Sequence, residues 1–335
     1  MEADLVIRAG IPFTPIAAAG LHGVGIRALP GNLCRLTKGV IAAREALRQY
    51  KPEVIFFTGG YVAVPVAIAS RFLGLRTKRP ASLLYVPDIE PGLSLQILSR
   101  VADHVAITSD EGHQYFHRAT RITVTGYPVR SDLQNMNIEA ARQVLNLSVD
   151  LPTLLVFGGS KGARSINQAL KAILPELLNE MQVVHITGNL DWPVIEATRS
   201  DIPANLVDHY HAFPYLHTEM GAALASADLV VSRAGAATLG EYPKFGLPAV
   251  LVPYPHAWRY QQVNAHYLVE RGAAVVIADK DLPGQLLPVV RELMQDRSRR
   301  MAMSTSMRSL ARPDATETIG KLLYNLASTQ NQERN

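Results

Sequence analysis

Apolar, strand-like runs alternate with helical stretches along almost the whole chain, which predicts an α/β protein built on parallel sheets covered on both faces. The length, 335 residues, suffices for two ordinary domains. A polar stretch from Arg130 to Asp150, holding one isolated helix pattern, reads as the connection between them.

The elements follow in order. "VIFFTGG" is a strand ending in glycines, and "VAVPVAIASRFLG" is a small-residue helix closed by Gly74. "ASLLYV" is a strand leading into the loop "PDIEPG"; "ILSRVA" is helical, "HVAITS" a short strand, and "RITVTGYPVR" a strand running into a turn. "IEAARQVLNL" is a helix. "LLVF" then reads as a buried strand, with "VVHITG", "LVDHYHAF", "LVVSRAG", "AVLVPY" and "AAVVIA" as further strands separated by helices. The final "TQNQERN" reads as a frayed tail.

Composition narrows the class. Hydrophobic residues make up 48% and charged residues 19%, as in a globular protein. A net charge of +4 suits an anionic ligand or an anionic membrane surface and does not by itself argue for nucleic acid. Cys34 is the only cysteine, so an intrachain disulfide is impossible, which fits a cytoplasmic compartment. No apolar run is long enough to span a bilayer, and no metal-ligand cluster is visible.

In open α/β sheets, ligands sit beyond the carboxyl ends of the strands. Several loops here occupy such ends. In "LLVFGGSKGARSIN" the strand stops at Gly158-Gly159, and Ala163, Ile166, Ala169 and Leu170 recur at helical spacing. The first amides of that helix lack intrahelical partners and carry partial positive charge, so the loop is built to receive an anion such as phosphate. An ordinary tight strand-to-helix turn is the alternative. "ADLVVSRAGAATLGEYPKFGLPAVLVPYP" sets Arg233 at a strand end. A helix is expected from near Gly235, offering a second anion-accepting terminus, with Glu241 about one and a half turns into it. Glu241 there can accept hydrogen bonds from a ribose diol, or be a solvated helix glutamate. Gln261 and Asn264 share a helical face suited to sugar hydroxyls, or simply form a polar face.

These residues resemble the MurG-type glycosyltransferases, and the resemblance covers nearly the whole chain. "FTGGYVAVPVAIAS" is similar to the family's Gly-Gly-Tyr loop, "TGYPVR" to Thr-Gly-Asn-Pro-Val-Arg, and "VFGGSKGARSIN" to Gly-Gly-Ser-Gln-Gly-Ala-x-x-x-Asn. "SRAGAATLGE" is similar to Ser-Arg-Ser-Gly-Ala-x-Thr-x-x-Glu, and "ARPDATE" to a C-terminal signature. The resemblance implies the GT-B architecture of two facing Rossmann-like domains. Residues 1–130 would form the acceptor and membrane side, 131–150 the linker, 151–312 the UDP-sugar domain, and 313–330 a C-terminal helix packing back towards the first domain.

It also implies an inverting transfer of N-acetylglucosamine from UDP to the lipid-linked muramyl-pentapeptide precursor of peptidoglycan, by a peripheral enzyme on the cytoplasmic face of the membrane. No cofactor is implied beyond the donor substrate, no metal, and no nucleic acid. Ser160 and the amides near Gly159 and Gly162 would hold the pyrophosphate, with Arg130 as a fixed cation beside it. Arg233 and Gly235 would lie on the uridine side, Glu241 on the ribose, and Gln261 and Asn264 towards the sugar. His185 and Gly188 would end the strand beside the nucleotide. Gly59, Gly60 and Tyr61 would lie on the acceptor side.

Two departures stand out. "MEADLV" aligns with an interior position of the family, whose Gly-Gly-Thr-Gly-Gly-His loop and flanking elements have no counterpart here. A first domain incomplete at its N-terminus, and poor or absent turnover, are therefore expected. Where the family has His-Glu-Gln-Asn, this chain has Tyr85-Val86-Pro87-Asp88. Asp88 could serve as the general base, or be a turn aspartate. Alternatives are a transferase for another lipid acceptor, a UDP-sugar binder without turnover, and a UDP-sugar epimerase. Residues 20–50 mix apolar Ile26, Leu29, Leu33 and Leu36 with Arg27, Arg35, Lys38, Arg44 and Arg48, opposed only by Glu45. That stretch could dock on an anionic membrane, or pack into the core behind a solvated face.

Overall fold

The computed structural model describes residues 2–18, 29–60, 62–73, 79–117, 120–133, 136–159, 162–256 and 259–332. Gly74, Tyr61, Ser160, Ile26 and Arg27 lie outside the described residues. Two compact units result. The first comprises residues 1–87, 91–125 and 317–335; the second comprises 88–90 and 126–316.

The first unit opens with α1 (Glu2–Arg8) and α2 (Leu29–Tyr50). It continues with β1 (Val54–Phe57), α3 (Ala63–Leu73), β2 (Ala81–Val86), α4 (Leu93–Ser99), β3 (His104–Ile107) and β4 (Ile122–Val124). The described strands pair in parallel in the order β1-β2-β3-β4. β2 is buried at every position, as its mostly apolar run suits a strand covered on both faces, and its one hydroxyl on a serine, Ser82 Oγ, donates to Asp103 Oδ2 at 2.9 Å.

The second unit continues with α5 (Ile138–Val144), β5 (Thr153–Phe157), α6 (Arg164–Leu178), β6 (Gln182–Ile186), α7 (Trp192–Ala197), β7 (Tyr210–Phe213), α8 (Met220–Ser226) and β8 (Leu229–Ser232). Then come α9 (Glu241–Phe245), β9 (Ala249–Leu251), α10 (Tyr260–Glu270), β10 (Ala274–Val276), α11 (Leu282–Gln295) and α12 (Arg297–Ser309). The order is β10-β9-β8-β5-β6-β7, again all parallel. The order reverses direction around β5, the usual position of a ligand crevice in such sheets. One face of α6 supplies Ile166, Leu170, Leu174 and Leu177 to a core shared with β5, β6, β8 and α11.

Residues 131–150, expected as a linker, are instead folded into the second unit. Leu133, Ala141, Leu145 and Leu147 are buried, and α5 packs on α8. The division comes earlier, between Thr125 and Gly126. The last helix, α13 (Ala315–Gln332), sets Ile319, Leu322, Leu323 and Leu326 against Leu83, Tyr85 and Ala106 of the first sheet.

Candidate active site

A cavity of about 1240 Å³ opens in the second unit. Its wall is drawn from loops leaving the carboxyl ends of five strands. β5 supplies Gly158, Gly159 and Gly162; β6 supplies Leu190 and Asp191; β8 supplies Arg233, Gly235, Thr238 and Glu241; β9 supplies Tyr254, His256 and Gln261; β10 supplies Asp279.

The glycine loop is shaped by close approach. Gly162 has φ +77°, and a Cβ there would run into the Thr187 carbonyl of the neighbouring loop. Its amide donates to Gly159 O at 2.9 Å. The loop delivers the chain to α6, which spans 15 residues with Ala163 as its N-cap. No side chain caps α6, so its first amides stay directed at the cavity end.

The expected continuous helix after Gly235 is broken. A short 3-10 turn covers Ala236–Leu239, and α9 starts only at Glu241. Glu241 is thus the first residue of its helix, not one and a half turns in. The break lies at Gly240 (φ −127°, ψ −47°), where a Cβ would strike the Tyr127 ring packed against it. The four-residue turn and five-residue helix carry little of the dipole expected of a full helix. Tyr242 anchors α9 from below: Ser232 Oγ donates to Arg233 O at 2.9 Å, so the Tyr242 hydroxyl donates to Ser232 Oγ, at 2.6 Å.

Arg233 is tied down on several sides. Nη1 donates to Asp279 Oδ1 (2.5 Å) and Val252 O (3.1 Å), and Nη2 to Ser165 Oγ (2.8 Å). Its guanidinium also lies 5.2 Å from the centre of the Tyr254 ring. Gln261 Oε1 accepts from the Tyr254 amide at 2.8 Å and so fixes that loop.

Two expected ligand contacts are internal struts. His185 is buried and does not line the cavity. Asn167 Nδ2 donates to Thr187 O and to Asp191 Oδ2, both at 2.9 Å, so its Oδ1 accepts from His185 Nε2 at 3.0 Å. His185 Nδ1 then accepts from the Tyr210 hydroxyl at 2.8 Å. Burial pushes the His185 pKa down to about 3, so the ring stays neutral. Asn264 is also fully buried. Its Nδ2 donates to Asp88 Oδ1 (2.7 Å) and Ala234 O (3.2 Å), and its Oδ1 accepts from the Ile89 amide (3.1 Å). Its amide is spent on protein partners, which leaves none of it facing a sugar. Gln261, by contrast, lies in the cavity wall.

Asp88 therefore has a fixed carboxylate. Burial raises its pKa, opposed by the Asn264 hydrogen bond. Next to it Tyr127 is pushed up to about 12, by burial first and then by the charges of Glu241 and Asp88, with Arg130 pulling the other way. Arg130 is exposed and is not part of the cavity wall. Gly188 has φ +79° and lies against Gly162. Gly59 and Gly60 follow β1 in the first unit, both with positive φ.

Residues 153–319 match the glycosyltransferase family 28 C-terminal domain, and residues 1–107 the N-terminal domain of the same family. A Roseiflexus sp. (strain RS-1) protein is 40% identical over 97% of this chain and 81% of its own length. It is named UDP-N-acetylglucosamine–N-acetylmuramyl-(pentapeptide) pyrophosphoryl-undecaprenol N-acetylglucosamine transferase. A protein of the same name from Desulforudis audaxviator (strain MP104C) is 38% identical over 98% of this chain and 88% of its own. The chain belongs to the MurG family of glycosyltransferases. The crystal structure of Acinetobacter baumannii MurG superposes with a TM-score of 0.73 at 28% identity, covering 97% of this chain and 88% of that one. A Neisseria meningitidis UDP-GlcNAc 2-epimerase, at 10% identity and a TM-score of 0.65 over 97% and 88% of the two chains, shares the fold alone.

Within this MurG-type chain, sequence reasoning missed Ser165, Asp191, Tyr254, His256 and Asp279 in the cavity wall. Asp279 carried a usable signal, since "IADKD" leaves the carboxyl end of a strand. Asp191 carried a weaker one, three residues past Gly188.

Proposed function

We infer that this chain transfers N-acetylglucosamine from UDP to the lipid-linked muramyl-pentapeptide precursor of peptidoglycan. The reading is carried by one cavity that gathers the glycine loop, the start of α6, Arg233 and Glu241, in a chain whose relatives bear that activity in their names. The donor diphosphate sits at the glycine loop and the start of α6, and the ribose at Glu241.

The acceptor hydroxyl oxygen attacks C1 of the sugar from the side opposite the diphosphate. The C1–O bond breaks, its electron pair stays on UDP, and the anomeric configuration inverts. Helix amides meet the charge where it develops, together with Arg233, which hydrogen-bonds Ser165 at the start of α6 and so is proposed beside the diphosphate instead of the uridine. The acceptor proton passes to Asp88, which lies outside the cavity wall but shares the neighbour Tyr127 with Glu241 of that wall, and whose raised pKa suits a base at neutral pH better than an ordinary carboxylate would.

No described helix is long and apolar enough to cross a membrane. The acceptor is met at the cytoplasmic leaflet through α2, where Leu33 and Ile41 are exposed beside the exposed cations Arg35, Lys38 and Arg48. Leu36 is half-buried and contributes less than its sequence position suggested, because α2 packs on α3.

The test is transfer of labelled N-acetylglucosamine from UDP to a short-chain lipid-linked muramyl-pentapeptide, with UDP titration alongside. Labelled product supports the reading, and its yield tests the poor turnover expected from the sequence. UDP binding without transfer to any lipid-linked acceptor would leave only a UDP-sugar binder. Glu241→Ala should weaken UDP by ~1.5–3 kcal/mol, the scale of a charged hydrogen bond, and spare free pyrophosphate. Equal weakening of both ligands would remove Glu241 from the ribose.

A further inference from the structure

The cavity wall holds a carboxylate where an anion site would be expected to exclude one. Asp279 opens a 3-10 turn (Asp279–Asp281) just beyond β10. Its Oδ1 accepts from Arg233 Nη1 at 2.5 Å and from Ser165 Oγ at 2.7 Å. Ser165, the second residue of α6, in turn accepts from Arg233 Nη2 at 2.8 Å. The three side chains close a triangle at the positive end of α6. Arg233 and Asp279 keep only 11% and 22% of their side-chain surface exposed, so the pair is poorly screened. The other guanidinium of the wall, Arg164, faces Asp191 at 3.6 Å, so both arginines of the wall have carboxylate partners.

We propose that Asp279 is a specificity-determining residue of the donor site, a built-in counter-anion that both positions Arg233 and offsets its charge. The inference rests on the donor reading of the cavity. Its logic lies in the difference between substrate and product. A UDP-sugar carries a diphosphate diester. Breaking the C1–O bond leaves the bridging oxygen, with its electron pair, as a terminal phosphate oxygen, so the product carries extra negative charge. A bare guanidinium beside a helix N-terminus would therefore hold UDP more tightly than UDP-sugar and retard its release, a step that often limits turnover. A fixed carboxylate in the same wall repels the more charged species more. It thereby levels the two affinities while keeping Arg233 in place for the transition state.

The test is Asp279→Asn in the full chain, which keeps shape and a hydrogen-bond acceptor but removes the charge. Calorimetric titration uses UDP, UDP-N-acetylglucosamine and uridine. The variant should bind UDP about 3–10-fold more tightly than the parent, as removal of one nearby like charge implies. The gain should be smaller for the UDP-sugar, absent for uridine, and reduced at high salt. Product inhibition by UDP should sharpen in step. Unchanged or weaker UDP binding in the folded variant overturns the proposal, as does an equal gain for uridine. Should melting show that Asp279→Asn does not fold, Asp279→Ser keeps a hydroxyl near Arg233 without charge and must give the same order of affinities. A parent chain that does not bind UDP at all would instead sink the donor reading itself.

Discussion

The ligands proposed for the two units call for different kinds of surface. In the second, the polar side chains behind the cavity are bound into networks: Arg233 with Asp279 and Ser165, and Tyr210 through His185 and Asn167 to Asp191. On α2 of the first, apolar Leu33 and Ile41 stand exposed beside the exposed cations Arg35 and Lys38. A small, charged, reusable ligand needs donors held at fixed angles, which only a satisfied buried network provides. A lipid surface needs contact area and positive charge, and tolerates loose geometry. If both proposals hold, rigidity follows the chemistry of the ligand.

The largest expected effect breaks the comparison at its most preorganised point. Asp88→Asn keeps the size of the side chain and its contact with Asn264 but removes the proposed base. Turnover should fall by about 10²–10⁴, the usual contribution of a general base. UDP binding should stay near that of the parent, since Asp88 is not in the cavity wall. In the parent, kcat should fall on the acid side at a pH above the ordinary carboxylate value, because burial raises the Asp88 pKa. A variant that keeps full turnover, or an acid limb at the ordinary carboxylate value, would leave Asp88 as the loop residue that Asn264 tethers.

A middle-sized effect tests whether the networks are structural. The folded pKa of His185, about 3, lies below the ordinary 6.5. Its contribution to stability is therefore complete above pH 6.5 and is lost progressively as pH falls through the window down to about 3. Each pH unit inside that window costs at most about 1.4 kcal/mol. Melting curves between pH 7.5 and 5 should show the parent losing stability faster than His185→Gln, although the variant starts lower. Parallel curves would show that another group governs acid sensitivity.

The sheets were legible because strands covered on both faces are mostly apolar, as "ASLLYV" and "LVVS" are but for Ser82 and Ser232. The glycine loop was legible for a related reason, since Gly162 leaves a mark wherever backbone approaches backbone. What was not legible depends on partners remote in sequence. Nothing local to Gly240 announces that the Tyr127 ring will pack against it where the helix breaks. Asn264 looks like a ligand-facing amide until Asp88, 176 residues away, takes its donor. His185 likewise looks like a site histidine until Tyr210 and Asn167 occupy both ring nitrogens. A buried polar residue and a ligand-binding one have the same composition and differ only in who satisfies them. The polar stretch 131–150 misled for the converse reason: four spaced apolar residues were enough to bury it against α8.

The smallest effect concerns the loose surface. If the first unit docks through charge and apolar area, no single residue should be decisive. Arg35 and Lys38 lie on α2 with Leu33 and Ile41, all exposed. Each cation near an anionic leaflet is worth about 1 kcal/mol, so Lys38→Gln alone should reduce vesicle binding about fivefold, and Arg35→Gln with it further. Leu33→Ser should weaken binding by a similar factor, and that loss should persist at high salt, where the charge contribution is screened. Co-sedimentation with vesicles containing anionic lipid, at low and high salt, separates the two contributions. UDP affinity should be unmoved in all three variants, since α2 belongs to the first unit and the cavity to the second. Two outcomes would count against this docking face: a parent chain that ignores anionic vesicles at low salt, or one substitution that abolishes binding outright. The second would mean that the lipid side is as finely built as the nucleotide side, and the contrast between the two units would fail.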